Sequence, residues 1–559
     1  MICFSVALAA SCGSVQAADI SRRSAETVAW SWSGFYLGGH IGAGFGTAKV
    51  EDPYGPSIYG DTVRMPKASA GLQGGYNWQV PSSAWVLGIE ADASAVDADG
   101  TDTCLAYSGQ FVSANCRVRE HVLGSVTGRV GYAFGAQARS LVYLKGGAAF
   151  LVGDVAVTTN SGPYLNQPAT IFDQTRWGWT IGAGVEHALS SGWAVRAEYD
   201  YADFGSQGIT TPTGGYLQIP NDRTSLVDTA GAPTRVRQDA HLVKLGLNYY
   251  FAHDARSAPL LPITAPSANA WSPWQVEIGA RYWYSHGRYQ NDLAMNTNKA
   301  TQEHLVSRLT YQSDGHSGEA FWRIDGPHRV FVKGFAGGGG LVSGKMNDED
   351  WVPTDANPAA YSNTSHGKVN GSIAYATLDA GVDLFGDASG KIGVFAGYNF
   401  YRDRKDAFGC QQIALVGARG YCSVPFPPDQ LAISENEDWH SLRVGANGSL
   451  SVAPGTKLVV DAAYLPYTHI SALDIHHNRT EMPSPNSPAW GTGRGVQLEA
   501  ILSYDVTPAF NIGVGGRYWA MWSTDVLTAG FGSAAATEAL PIRVERYGTF
   551  LQASYKFGR

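Results

Sequence analysis

The stretch WAVRAEYDY at 193–201 alternates, residue by residue, between two kinds of side chain. Apolar and aromatic residues fall on one face of an extended backbone: Trp193, Val195, Ala197, Tyr199 and Tyr201. The opposite face carries Arg196, Glu198 and Asp200. Because successive side chains of a strand point in opposite directions, the pattern predicts a strand with an aromatic outer face and a charged inner face. That combination is typical of a membrane-spanning β-barrel.

The same period-2 alternation recurs in VKLGLNYYF at 243–251 and in YGTFLQASYKF at 547–557. Soluble β-sandwiches also alternate, so the composition has to be considered with the pattern. Of the 559 residues, 16% are charged, 12% are aromatic and 67 are glycine, a mixture that suits lipid-facing strands. Beyond the N-terminus no uncharged apolar run approaches the ~18 residues of a spanning helix. The net charge of −8 argues against nucleic acid as a partner.

The proline-rich segment 252–274 divides the chain, since proline removes the backbone donors that a central strand needs. About eight strands are expected in 31–251 and about ten in 275–559, both even numbers, as bacterial barrels favour. The sequence therefore predicts an all-β chain of two tandem transmembrane antiparallel barrels. The segment 252–274 would be a periplasmic linker between them.

Residues 1–17 form a short apolar stretch that ends in a small-residue V-Q-A site, which predicts a signal peptide and export. Four cysteines follow it in two local pairs, Cys104 with Cys116 and Cys410 with Cys422. Outside the cytoplasm such pairs are predicted to form disulfides. A metal site is the weaker alternative, because neither pair has the C-x-x-C spacing of a zinc knuckle.

Two stretches of the second half crowd titratable residues at i, i+2 spacing. GKMNDEDWVP (344–353) contains Asp348 and Asp350, and SALDIHHNRT (471–480) contains Asp474 and His476. On extended backbone each pair projects from one face. Both stretches are predicted to lie in long, irregular external segments, after the third and the seventh strand of the second barrel. Strands in those positions lie across the mouth of a ten-stranded ring, so the two pairs could meet over the lumen.

Such a group could activate a water molecule for hydrolysis. His476 would take the proton, Asp474 would orient the imidazole, and Asp348 with Asp350 would hold the water from the other side. The alternative is that these residues are solvated charges on external loops. His476 and His477 point to opposite strand faces, so no shared metal is predicted. The glycine runs at 38–46 and 337–340 are interpreted as close packing in a barrel wall rather than nucleotide loops.

Several motifs of the first half, WSGFYLGGHIGAGFG, GLQGGYNWQ, SVTGRVGYAFG, RAEYDYADFG and LVKLGLNYYF, lie between 31 and 251. Together they resemble the small eight-stranded outer-membrane proteins common in alphaproteobacteria. That resemblance implies a structural or immunogenic surface barrel without chemistry. A porin is disfavoured because barrels of this size leave little aqueous lumen.

The second half contains GKMNDEDW, YSNTSH, VFAGYNFYRDR and LDIHHN in that order. These motifs are similar to those of the omptins, ten-stranded outer-membrane proteases. The resemblance implies that Asp348, Asp350, Asp474 and His476 are catalytic, and that Tyr398 and Arg402 bind lipopolysaccharide. It also places Asn291 and Ala472 where omptins carry the acidic residues that receive a basic substrate side chain. The chain departs from the family there, so cleavage between basic residues loses its counter-charges.

The function predicted from these features is an outer-membrane, omptin-like endopeptidase of aspartic type, fused to a structural barrel, with its active side facing outward. The alternative is a non-catalytic surface protein that serves structure, adhesion or lipopolysaccharide binding. The expected partners are outer-membrane lipid, lipopolysaccharide and a peptide or protein substrate, with no nucleic acid. No cofactor is expected, and lipopolysaccharide is the one candidate requirement for activity.

Overall fold

The computed structural model describes most of the chain, as thirteen continuous stretches and the isolated residues 420 and 422. The described residues are 30–57, 59–106, 114–160, 169–189, 192–218, 225–251, 274–294, 304–351, 361–386, 390–416, 420, 422, 424–479, 486–529 and 536–557. Within them, no helix is long and apolar enough to cross a membrane. The predicted signal peptide at 1–17 and residues 252–273 of the predicted linker lie outside the described residues, so both stay predictions.

The first half forms a closed antiparallel barrel of eight strands. In chain order these are β1 (Gly34–Val50), β2 (Thr62–Gln79), β3 (Trp85–Cys104), β4 (Ala114–Phe134), β5 (Ser140–Thr159), β6 (Thr170–Ala188), β7 (Trp193–Thr210) and β10 (Pro233–Tyr250). β1 closes the ring by pairing with β10. A short 3₁₀ turn at Ala136–Ala138 precedes β5, and a separate hairpin of β8 (Gly214–Gln218) and β9 (Ser225–Thr229) follows β7.

The second half forms another antiparallel ring, in which ten long strands follow one another and the last pairs with the first. These strands are β11 (Gln275–Ala294), β12 (Leu305–Asp325), β13 (Val330–Asp350), β15 (Lys368–Gly386), β16 (Gly390–Val416), β17 (Phe426–Ala453), β18 (Thr456–His476), β19 (Asn486–Asp505), β20 (Phe510–Ala529) and β21 (Ala536–Phe557). A 3₁₀ turn at Pro327–Arg329 precedes β13. The short β14 (Tyr361–His366) bridges the outer ends of β13 and β16. The predicted fold class is confirmed.

In each barrel, the glycine run allows neighbouring strands of the same wall to approach closely. At Gly44, in the first run, a Cβ would come within 1.9 Å of the His241 carbonyl oxygen of the neighbouring strand. At Gly339, in the second run, it would come within 1.8 Å of the His316 carbonyl oxygen. Real Cβ atoms do not approach so closely, so glycine is required at both positions.

Charged side chains fill the interior of the first barrel. Lys145 Nζ contacts Glu198 at 2.9 Å, and Arg129 contacts Glu186 at 3.0 Å. Arg196 bridges to the same Glu198 and to Glu90 at 2.5 Å. Arg196 and Glu198 are inner-face charges that the alternation at 193–201 predicts. Each of these buried charges lies beside an opposite charge, because an isolated buried ion would be costly.

A belt of exposed apolar and aromatic side chains marks the membrane-spanning level of the second barrel. It includes Ile278, Tyr282, Tyr398, Leu442, Tyr467, Tyr504, Ile512, Leu551 and Tyr555. On β18, the exposed Tyr467 is followed on the same outward face by the exposed polar residues His469 and Ser471. Asp474 lies seven residues beyond Tyr467, roughly 20 Å further along the strand. The outer ends of the strands therefore stand outside the membrane.

The prediction of irregular loops in these outer segments was wrong for much of their length. β13 continues to Asp350 and β18 continues to His476, each paired with both neighbouring strands. The apolar alternation ends at the membrane surface, which is why the sequence suggests a loop. Cross-strand hydrogen bonds and polar contacts hold the strand ends above it.

The two barrels contact each other side by side. Outward residues of β1 and β10, among them Ala43 and Leu245, join one apolar cluster with Val496 and Tyr518 of the second barrel. The rings of Phe45 and Tyr518 lie 5.5 Å apart. The first barrel therefore covers part of the outer wall of the second.

Candidate functional site

The end of β13 points two carboxylates into the mouth of the second barrel. Asp348 and Asp350 share the lumen face with the fully buried Met346, whereas Glu349 points the opposite way. In register, Asp348 lies opposite Leu309, and Asp350 opposite Ser307, both on β12. The i, i+2 spacing in the sequence therefore places both aspartates on one face.

The end of β18 supplies the other half of the site. Asp474 and His476 continue a lumen face on which Ile470 and Ala472 are buried. His476 Nε2 donates a hydrogen bond to Asp474 Oδ2 over 3.1 Å. Asp474 thereby fixes the orientation of the imidazole.

The two halves converge electrostatically. Burial raises the pKa of Asp348 well above its usual value, and the carboxylates of Asp350 and Asp474 raise it further, while His476 opposes the shift. Burial also raises the pKa of Asp350. Burial disfavours the charged imidazole of His476, but Asp474, Asp348 and Asp350 outweigh it and raise its pKa to about 9. Interactions of this kind require the four side chains to lie close together.

Two oxygens of this cluster have no hydrogen-bond partner among the described residues. They are Asp348 Oδ1 and Asp474 Oδ1, and both are buried. Buried carboxylate oxygens are normally satisfied by a protein group, an ordered water or a ligand. The cluster therefore has the capacity to hold a small polar molecule between its two halves.

The sequence did not single out Glu435, a further buried carboxylate that lies directly opposite Asp474 on β17. Burial, together with Asp474 and Glu437, raises the pKa of Glu435 well above its usual value. Glu435 and Glu437 also have i, i+2 spacing, in SENEDW, and this spacing could have pointed to them. Glu437 is bound by Lys405 at 3.1 Å.

His366, the last residue of β14, is a second neighbour of the cluster that was not predicted as a site residue. Its Nδ1 donates to the carbonyl oxygen of Gly409 over 2.5 Å. Burial lowers the pKa of His366 to about 4, and the nearby charge of His476 acts in the same direction. His366 is therefore neutral at physiological pH.

The two pocket positions that depart from the omptin pattern face the lumen. Asn291 on β11 lies opposite Leu309 of β12, which in turn lies opposite Asp348 of β13. The Oδ1 atom of Asn291 has no hydrogen-bond partner among the described residues. Ala472 lies directly opposite Glu437. The neighbouring Asp292 points to the other face and binds Arg308 at 2.7 Å, so it does not replace an acid at position 291.

Both predicted disulfides are present, Cys104–Cys116 and Cys410–Cys422. The first joins the outer ends of β3 and β4. The second begins next to Gly409, the backbone partner of His366. Each therefore braces a segment outside the membrane.

The family described as outer membrane protein beta-barrel domain matches residues 5–251. A 31 kDa outer-membrane immunogenic protein of Brucella melitensis is 30% identical over 252 residues, which cover 43% of this chain and 94% of that protein. The chain belongs to this family. It is an outer-membrane protein, so the predicted localisation and the resemblance of the first half are confirmed.

Two further comparisons concern this outer-membrane protein. A 22 kDa outer membrane protein of Rhizobium leguminosarum is 31% identical over 189 residues, covering 34% of this chain and 72% of that protein. The solved structure of the outer membrane protease OmpT from Escherichia coli matches at 16% identity with a TM-score of 0.44. It covers 51% of this chain and 97% of that chain.

The predicted lipid-binding pair of the outer-membrane protein lies on the outward face of β16, at the upper edge of the belt. The hydroxyl of Tyr398 contacts His440 Nδ1 at 2.5 Å. Arg402 binds Asp438 through two hydrogen bonds of 2.8 Å, and Arg404 reaches the same carboxylate at 3.0 Å. Two guanidinium groups share one carboxylate, which leaves an excess positive charge at the membrane surface.

Proposed function

We propose that the second barrel is an endopeptidase of omptin type, which hydrolyses peptide bonds with a water molecule activated between two carboxylate-bearing strand ends. One observation carries the proposal. Asp348 and Asp474, on strands from opposite sides of the ring, each present a buried oxygen without a hydrogen-bond partner in the described part of the chain, and the same cluster contains His476 and Asp350. A water molecule between Asp348 and Asp474 could donate hydrogen bonds to their two carboxylate oxygens and transfer a proton to His476.

In the proposed mechanism the imidazole of His476 is the general base. His476 accepts the proton of the water, and Asp474, which is hydrogen-bonded to the imidazole, stabilises the imidazolium that forms. Hydroxide adds to the peptide carbonyl carbon, and the same imidazolium then donates its proton to the leaving amine. No covalent intermediate with the protein is needed.

The raised carboxyl pKa values give the acidic pair a second role. A carboxyl group that keeps its proton near neutral pH can donate a hydrogen bond to an oxyanion. Like charges held together cannot both ionise easily, so Asp348 and Asp350 share a proton. Asp348 would then stabilise the tetrahedral intermediate, while Asp350 remains the charged partner of His476.

The pH dependence of cleavage tests the role of His476. The base must be neutral to accept a proton, so kcat/KM should fall as pH drops below the His476 pKa of about 9. In Asp474→Asn the imidazolium loses its nearest carboxylate, so the midpoint of this acid limb should move down by about one pH unit or more. The maximal rate should also fall. The measurement is kcat/KM from pH 5 to 10, and an unmoved midpoint would contradict the role of Asp474.

The proposed activity itself is tested with the full chain, folded in detergent with lipopolysaccharide and offered a mixed peptide library in water enriched in ¹⁸O. Mass spectrometry should find internal cleavage with one ¹⁸O in each new carboxyl group, as expected for hydrolysis. Because Asn291 and Ala472 replace acids, the cleaved peptides should show no strong preference for arginine before the scissile bond. Absence of any cleavage across the library would remove the endopeptidase assignment.

Arg402 and Arg404, at the upper edge of the exposed belt, favour a second function, lipopolysaccharide binding. This function is compatible with the first. Arg402 is 45% exposed on its side chain, and the ring of Phe400 lies 5.4 Å from its guanidinium carbon. Guanidinium groups bind phosphate with paired hydrogen bonds. A lipid phosphate could therefore bind one of the two guanidinium groups, Arg402 or Arg404, while the other arginine stays paired with Asp438.

Substitution of Arg402 by alanine should weaken binding of purified lipopolysaccharide about tenfold, since a charge-assisted contact contributes roughly 1.5 kcal/mol or more. The matched control is Arg237→Ala, which removes an exposed arginine paired with Asp203 on the first barrel. That control should leave the affinity unchanged. Equal affinities of all three proteins in a fluorescent displacement titration would reject this site.

A further inference from the structure

The outer end of the first barrel lies against the outer wall of the second, where charges of opposite sign meet. Asp97, Asp99 and Asp102 of β3 face arginines of the second barrel. The pairs are Asp97 with Arg494 at 3.1 Å, Asp99 with Arg543 at 3.6 Å and Asp102 with Arg288 at 3.0 Å. One further pair has the opposite arrangement of charges: Arg64 of the first barrel contacts Glu545 of the second at 3.2 Å. This complementarity gives the contact a defined register.

Thr103 stands at the centre of this contact. Its hydroxyl donates to Glu349 Oε2 at 2.9 Å and accepts from Arg308 Nη1 at 2.9 Å. All three residues are fully buried. Glu349 also accepts a hydrogen bond from the Tyr361 hydroxyl at 2.7 Å.

Glu349 is the chain neighbour of both aspartates of the proposed site. Since side chains alternate across a strand, the outward Glu349 and the inward Asp348 and Asp350 share one short piece of backbone. Arg308 is likewise next to Ser307, which lies directly opposite Asp350 in the β12–β13 ladder. Restraints on the outer face of these two strand ends therefore fix the directions of the inner carboxylates.

Other groups hold Thr103 in place. Arg308 Nη2 donates to Asn115 Oδ1 at 2.8 Å, and Asn115 lies opposite Thr103 in the β3–β4 ladder. The disulfide Cys104–Cys116 follows each of them by one residue. Arg308 is also bound by Asp292. The contact is thus rigid on both sides, as positioning of a reacting group requires.

We infer that the first barrel is an intramolecular scaffold for the acidic half of the proposed site, with Thr103 and Arg308 as the positioning residues that act through Glu349. The kinetic part of this inference rests on the proposed endopeptidase function. The structural part, that the first barrel orders the end of β13, is independent of that function. The two can therefore fail separately.

The test compares the full chain with Thr103→Val, which keeps the shape but removes the hydroxyl, and with Thr103→Ser, which restores it. Arg494→Ala is the matched control, because it breaks another ion pair between the barrels away from β13. Hydrogen–deuterium exchange is followed by mass spectrometry in peptides that span 344–351. Exchange there should be at least about fivefold faster in Thr103→Val, and unchanged in the serine variant and the control.

Peptide cleavage provides the second readout. In Thr103→Val, kcat should fall about tenfold with KM changed less than twofold, because misplaced catalytic groups slow the chemical step rather than binding. Thr103→Ser should recover the original kcat. Unchanged exchange at 344–351 in Thr103→Val would overturn the inference, whatever the activity. Faster exchange in a chain that cleaves no peptide would support the scaffold and reject only the endopeptidase.

Discussion

Replacing His476 by alanine should lower kcat/KM for peptide cleavage by about 10³-fold, because general base catalysis contributes on the order of 10² to 10⁴. The side chain is buried at the lumen mouth beside three carboxylates, and no other histidine among the described residues combines a raised pKa with that position. His366 is neutral and donates to Gly409. It therefore cannot take over the charged state that Asp474 stabilises.

His477→Ala is the matched control for this prediction. His477 follows directly in the chain but points outward and contacts the Ser434 hydroxyl at 2.9 Å. Its substitution should leave kcat/KM within about twofold of the original value. Both variants should retain the folded barrel, which is checked by the mobility of unheated samples in SDS gels. Full activity of His476→Ala, or equal losses in both variants, would contradict the proposed role.

Substitution of either acidic partner on β13 should be the next most damaging change. Asp348→Asn and Asp350→Asn should each reduce kcat by about 10²-fold, the scale measured when one group that stabilises a developing charge is removed. The amide keeps the volume but cannot share a proton or balance the imidazolium. The measurement is single-turnover cleavage, which separates the chemical step from product release.

Asp505→Asn serves as the carboxylate control, since Asp505 pairs with Lys556 at the opposite end of the same barrel. It should cleave at the original rate. If Asp348→Asn and Asp350→Asn also matched the original rate, the acidic pair would have no part in the chemistry, which would contradict the proposed role.

The fold could be predicted because lipid imposes a strict pattern. Strands such as 193–201 must alternate between lipid-facing and lumen-facing residues, and the proline-rich segment after 251 interrupts that pattern. This alternation ends at the membrane surface. Above the belt, β13 and β18 continue as strands without apolar alternation. Contacts across the ring and between the barrels hold them there, and a single local stretch of sequence does not contain that information.

The candidate site was predictable only in part for the same reason. Asp348 with Asp350, and Asp474 with His476, carry their spacing in the sequence. Glu435 enters the site only because strand register sets it opposite Asp474. The contact between Thr103 and Glu349 depends on how one barrel packs against another, which no spacing within either half encodes.

The central claim is that His476 and the acidic pair act as one unit on the same water molecule. Its most direct measurement is a double-mutant comparison of kcat/KM for the original chain, His476→Ala, Asp350→Asn and the double variant. Groups that act as a unit are strongly non-additive, so the double variant should be no more than about threefold slower than His476→Ala alone. Losses that simply multiply would show that the two side chains act independently, and would contradict the account.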